Sequence, residues 1–150
     1  MMVDYVKKLQ QLRAGTLDPA DFTHSDHVGV AYEALARHDY VEAVAIISRG
    51  IRTLAAAAGD ASKFNATITV AFMSLIAERM QTSAHDNAAD FLGRNKDLTE
   101  PAALAPWYSR ERLTCPMARS IALLPDRAPL TGKPPAATGS RQSGACRQPV

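Results

Sequence analysis

Tyr40-Val41-Glu42-Ala43-Val44-Ala45-Ile46-Ile47-Ser48-Arg49-Gly50-Ile51-Arg52-Thr53-Leu54-Ala55-Ala56-Ala57 sets Val44, Ile47, Ile51 and Leu54 at helical spacing, with Glu42, Arg49 and Arg52 on other faces. One apolar stripe of this kind is the mark of an amphipathic α-helix. Gly59 ends it, and Asp60 or Ser62 can cap the next helix. Upstream, His38-Asp39 separates this helix from one read over residues 26–37, which buries Val28, Ala31, Tyr32 and Leu35. A first short helix over residues 3–13 places Val6, Leu9 and Leu12 on one face, and Gly15 stops it.

Downstream, residues 64–81 are apolar on most sides through Ile68, Val70, Ala71, Phe72, Met73, Leu75, Ile76 and Met80. Such a helix belongs in the middle of a bundle, with the helices starting near Asp26 and Tyr40 packed on it. Shorter helices are expected over 87–95, 108–113 and 117–123, with breaks at Pro101 and Pro106. No stretch alternates with period two and no internal repeat occurs, so the expected fold is all-α, a single compact bundle of about five to seven helices. Residues 1–130 form the helical domain. Residues 131–150, rich in Gly, Pro, Ser, Thr and Arg, read as a flexible tail.

A chain of 150 residues suits one domain, and 17 Lys and Arg against 15 Asp and Glu leave a net charge of +2. Lys133, Arg141 and Arg147 of the tail account for that excess, and no basic stripe with interleaved aromatics exists, so nucleic acid is not an expected partner. Cys115 and Cys146 do not make a disulfide framework, which points to a reducing compartment. The N-terminus carries no signal-peptide pattern, and the longest apolar stretch, 68–77, is too short to span a bilayer. The expectation is a cytoplasmic protein with no membrane partner.

The chemistry-bearing segment is Asp21-Phe22-Thr23-His24-Ser25-Asp26-His27. Thr23 and Asp26 have capping-box spacing, which makes His24 the first helical residue and His27 the fourth. Residues three apart on a helix share a face, so the two imidazoles can converge on one metal ion or substrate. The positive end of the helix dipole favours neutral imidazole, the form that ligates metal or accepts a proton. The same residues also read structurally, with Phe22 and His27 forming the hydrophobic staple at the helix entry. Two histidines lack the third and fourth ligands of a zinc site, so any divalent transition metal at His24 and His27 is weakly held.

Asn65 shares a stripe with Thr69, Phe72 and Ile76, and reads as a pocket-facing amide or as a cap. Tyr108, beside Trp107, lines a pocket or packs in the core. Arg119 pairs with Asp126 or holds a substrate carboxylate bidentately. His38 and His85 are expected in solvated loops. Cys115 could act as a nucleophile only if the fold brought His24 or His27 to it. No G-x-S-x-G, P-loop, G-x-G-x-x-G, H-E-x-x-H or paired C-x-x-C occurs, so nothing completes a recognisable catalytic set.

Three segments together resemble an uncharacterised family of small bacterial helical proteins: Phe22-Thr23-His24-Ser25-Asp26-His27-Val28, Lys63-Phe64-Asn65-Ala66-Thr67-Ile68-Thr69, and Trp107-Tyr108-Ser109 with Ala118-Arg119 and Pro125-Asp126. In that family the middle segment often reads Lys-Tyr-His-Glu-Thr, which implies a third imidazole and a carboxylate near the first two, in a metal-binding pocket between helices. Here Asn65 and Ala66 stand at the His and Glu positions. An amide oxygen is a poor transition-metal ligand and Ala has none. Two functions follow as expectations. One is a small-molecule enzyme or binding protein with a pocket at His24, His27 and Asn65, closed by Tyr108 and Arg119. The other is a non-catalytic helical interaction protein, in which these residues cap and pack and a homodimer is the natural partner.

Overall fold

In a computed structural model, which describes residues 2–127, seven α-helices and three short 3-10 turns account for the regular structure, and no strand occurs among the described residues. The helices are α1 (Tyr5–Ala14), α2 (His24–Arg37), α3 (Tyr40–Ala57), α4 (Ala66–Thr82), α5 (Ala88–Arg94), α6 (Arg110–Thr114) and α7 (Pro116–Ser120). The all-α bundle expected from periodicity is the fold. None of these helices is long and apolar enough to cross a membrane. The tail expected over 131–150 lies outside the described residues.

Caps set the boundaries. Asp4, Thr23, Asp39, Asn65, Asn87 and Ser109 each accept a backbone N–H of the first turn of the helix they precede. Gly15, at φ 72°, closes α1 in the left-handed conformation that costs glycine least. The fourth helix begins two residues later than the apolar run suggests, because Asn65 is its cap and not a member.

The centre of the bundle is α2, not the apolar helix over 64–81. Seven of its residues are buried, among them Val28, Val30, Tyr32 and Ala34, and it touches α1, α3, α4 and α5. Of α4, only Thr67, Thr69, Met73 and Ile76 are buried. Its surplus apolar side chains are half-exposed: Ile68 and Phe72 line one cleft, Val70 and Leu75 a second. A helix that is apolar all round is thus explained by two cavities on its two sides rather than by a central position.

On α3 the buried set is Ala43, Ile46, Ile47 and Gly50, while Val44, Ile51 and Leu54 are half-buried at the flank. The expected stripe is therefore one edge of a wider apolar face, because α3 packs on α1, α2 and α4 at once. Gly50 permits the close approach of α1 to α3, and Gly29 that of α1 to α2. A Cβ on Gly50 would lie 2.5 Å from Cγ of Leu12, and one on Gly29 would lie 2.2 Å from the Tyr5 ring. Leu12 is buried and cannot swing away. We expect Gly50→Ala to lose stability on denaturant titration, since overpacking of about 1–3 kcal/mol outweighs a helix-propensity gain of about 1 kcal/mol. Gly93→Ala, with nothing within 4 Å, should instead gain up to about 1 kcal/mol.

The chain returns across α4 as an extended segment over 121–127. The buried Thr67 hydroxyl donates to the Ile121 carbonyl at 2.7 Å and accepts the Leu123 N–H at 3.0 Å. Tyr108 Oη donates to the Leu123 carbonyl at 3.0 Å, and the Ser109 N–H donates to Asp126 at 2.7 Å.

Candidate functional site

Between the starts of α2 and α4 lies a cavity of about 280 Å³. Its inner wall is apolar, with Val28, Ala31, Ile47, Met73, Ile76 and Leu98 all buried. Polar groups gather at the other end, where His24, His27, Lys63 and Asn65 join the lining and His24 and Lys63 are exposed. Among the described residues, no carboxylate is part of the wall.

The two histidines are positioned by the capping box. Asp26 accepts the Thr23 N–H at 2.8 Å and the Thr23 hydroxyl at 2.9 Å, and its own N–H donates back to Thr23 at 3.2 Å. Lys8 of α1 pairs with the same carboxylate at 2.8 Å. Burial alone would raise the Asp26 carboxyl, but the hydrogen bonds from Lys8 and Thr23 outweigh it and hold it below its ordinary value. Asp26 is thereby committed to the helix start and faces away from any ligand.

His27 packs its ring 4.4 Å from that of Phe22, centre to centre, so the staple is formed. The His24 ring lies 6.1 Å from it on the same face. Burial pushes the His27 pKa down to about 4, the neighbouring His24 adds to this, and Asp26 opposes it. His27 is therefore neutral at physiological pH and offers one N–H donor and one acceptor.

Asn65 reaches the cavity and caps at once. Its Oδ1 accepts the Ile68 N–H at 2.9 Å and its Nδ2 donates to the Leu113 carbonyl at 2.7 Å, which joins α4 to α6. Ala66 is not part of the wall.

Two expected members are elsewhere. Tyr108 is buried, bonded to Leu123, and lines the second cleft with Val70, Leu75 and Trp107. Arg119 is exposed on α7, near Asp60, whose carboxyl is held low chiefly by Ser62. Asp126 is taken by Ser109, so the Arg119–Asp126 pair does not form. Cys115 lies outside the cavity wall that holds His24 and His27.

The two other histidines are not free loop residues. His85 is half-buried and stands edge-on to Tyr32 and Phe91, with centroids 5.2 and 5.5 Å away. His38 ends α2 with Nδ1 3.4 Å from Glu42, an ion pair only when protonated.

Sequence reasoning missed Lys63, the one cation of the wall among the described residues, and Thr67, which clamps the segment over 121–127. No group of three or more His, Cys, Asp or Glu side chains able to hold a metal occurs among the described residues. Comparison with family models, curated proteins and solved structures finds no match to this chain.

Proposed function

We propose that the protein binds a small molecule in the cavity between α2, α3 and α4, with His24 and His27 at its polar end. The observation that carries this reading is the cavity itself. An apolar space with a few convergent polar groups, one of them a histidine with a displaced pKa, is the usual form of a ligand site. Binding is favoured over acid–base catalysis, since a general base works best with a pKa near the operating pH and His27 lies near 4. Metal held by His24 and His27 alone would have two protein ligands and correspondingly low affinity.

A second reading, a helical interaction protein, draws support from the Phe22–His27 contact and the Asn65 cap, which give two candidate residues, His27 and Asn65, structural work. A ligand-observed and protein-observed NMR screen with neutral apolar fragments distinguishes the two. The binding reading expects perturbed resonances at His24, His27 and Phe72. Perturbation confined to the Tyr108 cleft, or none at all, would leave the interaction reading.

A further inference from the structure

The cavity wall is divided by charge as well as by polarity. Lys63 is exposed at its rim, and among the described residues no carboxylate lies within ion-pair distance of it. Asp60, whose carboxyl Lys63 helps to hold low, is turned to the Ser62 N–H at 3.1 Å. The rim also holds His24, His27 and Asn65 and the starts of α2 and α4, where helix dipoles favour negative charge. Among the described residues, a cation without an ion-pair partner, the N–H groups of His27 and Asn65 and the lack of a carboxylate make this end selective for an anion. Opposite it, Met73, Ile76, Ala31 and Val28 offer only hydrocarbon.

Resting on the reading of the cavity as a ligand site, we propose that its ligand is a short apolar monocarboxylic acid, with the carboxylate beside Lys63 and the hydrocarbon body against Met73 and Ile76. Size agrees. At roughly 30 Å³ for each water-sized group, the 280 Å³ space holds on the order of nine or ten non-hydrogen atoms, the size of an eight-carbon acid. A dicarboxylate would bury its second charge among side chains that are apolar but for the Thr69 hydroxyl, and one neutral hydroxyl does not offset that cost. A phosphate ester is disfavoured for a related reason, because a single lysine faces a double charge.

Calorimetric titration of the full chain at neutral pH with octanoate, 1-octanol and octylamine tests this. Octanoate should bind at least tenfold tighter than 1-octanol, and octylamine more weakly than either. Lys63→Met, which removes an exposed side chain outside the core, should bring octanoate to the level of 1-octanol measured on the same variant. Equal binding of octanoate and 1-octanol by the unaltered protein would overturn the carboxylate while sustaining the ligand site. Octanoate binding that ignores Lys63→Met would overturn the proposed anion partner. Failure of all three to bind would remove the ligand site itself.

Discussion

Phe91→Ala is expected to cost about 3–5 kcal/mol, the range for truncating a fully buried aromatic ring. Phe91 is the largest side chain wholly shielded from solvent and belongs to the core cluster that α2 and α3 form. Its ring lies 5.2 Å from that of Tyr32 and edge-on to His85, so truncation opens a void against two aromatic neighbours. The surroundings cannot close readily. Asn95 Nδ2 donates to the Phe91 carbonyl at 2.8 Å and fixes the end of α5, while Tyr32 is held within α2. For a chain of this length the melting temperature should fall by on the order of 10 °C. Leu92→Ala, at a half-buried neighbour, should cost less than half as much. A loss below about 1 kcal/mol at Phe91 on urea titration would mean that α5 does not pack on α2.

The second large effect is a loss of stability in mild acid, carried by His27. In the unfolded chain this imidazole has its ordinary pKa near 6.5, and in the folded chain burial brings it to about 4. Between those values the unfolded state binds a proton that the folded state does not. Its contribution is therefore complete above pH 6.5 and is lost as the pH falls toward 4. A gap of this size corresponds to about 3 kcal/mol, reduced toward 2 by the partial exposure of the ring. His27→Phe keeps a ring against Phe22 and removes the titration, so its stability should be flat over that window. The lowered carboxyls of Asp26, Asp97 and Asp126 act at lower pH, since their ordinary value is 3.8. Parallel profiles for the two proteins between pH 7 and 4.5 would place His27 in solvent.

What could be read from the sequence was whatever depends on neighbours a few residues apart. The Thr23–Asp26 capping box, the start of α2 at His24, the extent of α3 and the stop at Gly15 are decided by i, i+3 and i+4 relations, and all are present. The cavity joins residues 24 and 65, a pairing that only the family resemblance implied, since the stripe of Asn65, Thr69, Phe72 and Ile76 speaks to the facing of Asn65 and not to its neighbours. What periodicity cannot supply is distance across the fold. Nothing local tells that Leu12 meets Gly50, that His85 stands on Phe91, or that Thr67 receives the Leu123 amide. Tyr108 and Arg119 were grouped with the histidines for their chemistry, and the 17-residue helix α4 separates Tyr108 from them by presenting it to its other side.

The bonds made by Thr67 also set how the molecule breathes. The Leu123 amide is protected by one side-chain oxygen and not by a helical ladder, so releasing that single hydroxyl exposes it to solvent. Amide exchange at Leu123 should then run faster than at Val30 or Ile47 and should accelerate further in Thr67→Val, while exchange in α2 and α3 stays slow. Segment 121–127 is in that sense a unit that opens apart from α2 and α3, latched to α4 by the Thr67 hydroxyl and to residues 108 and 109 by the bonds of Tyr108 and Ser109.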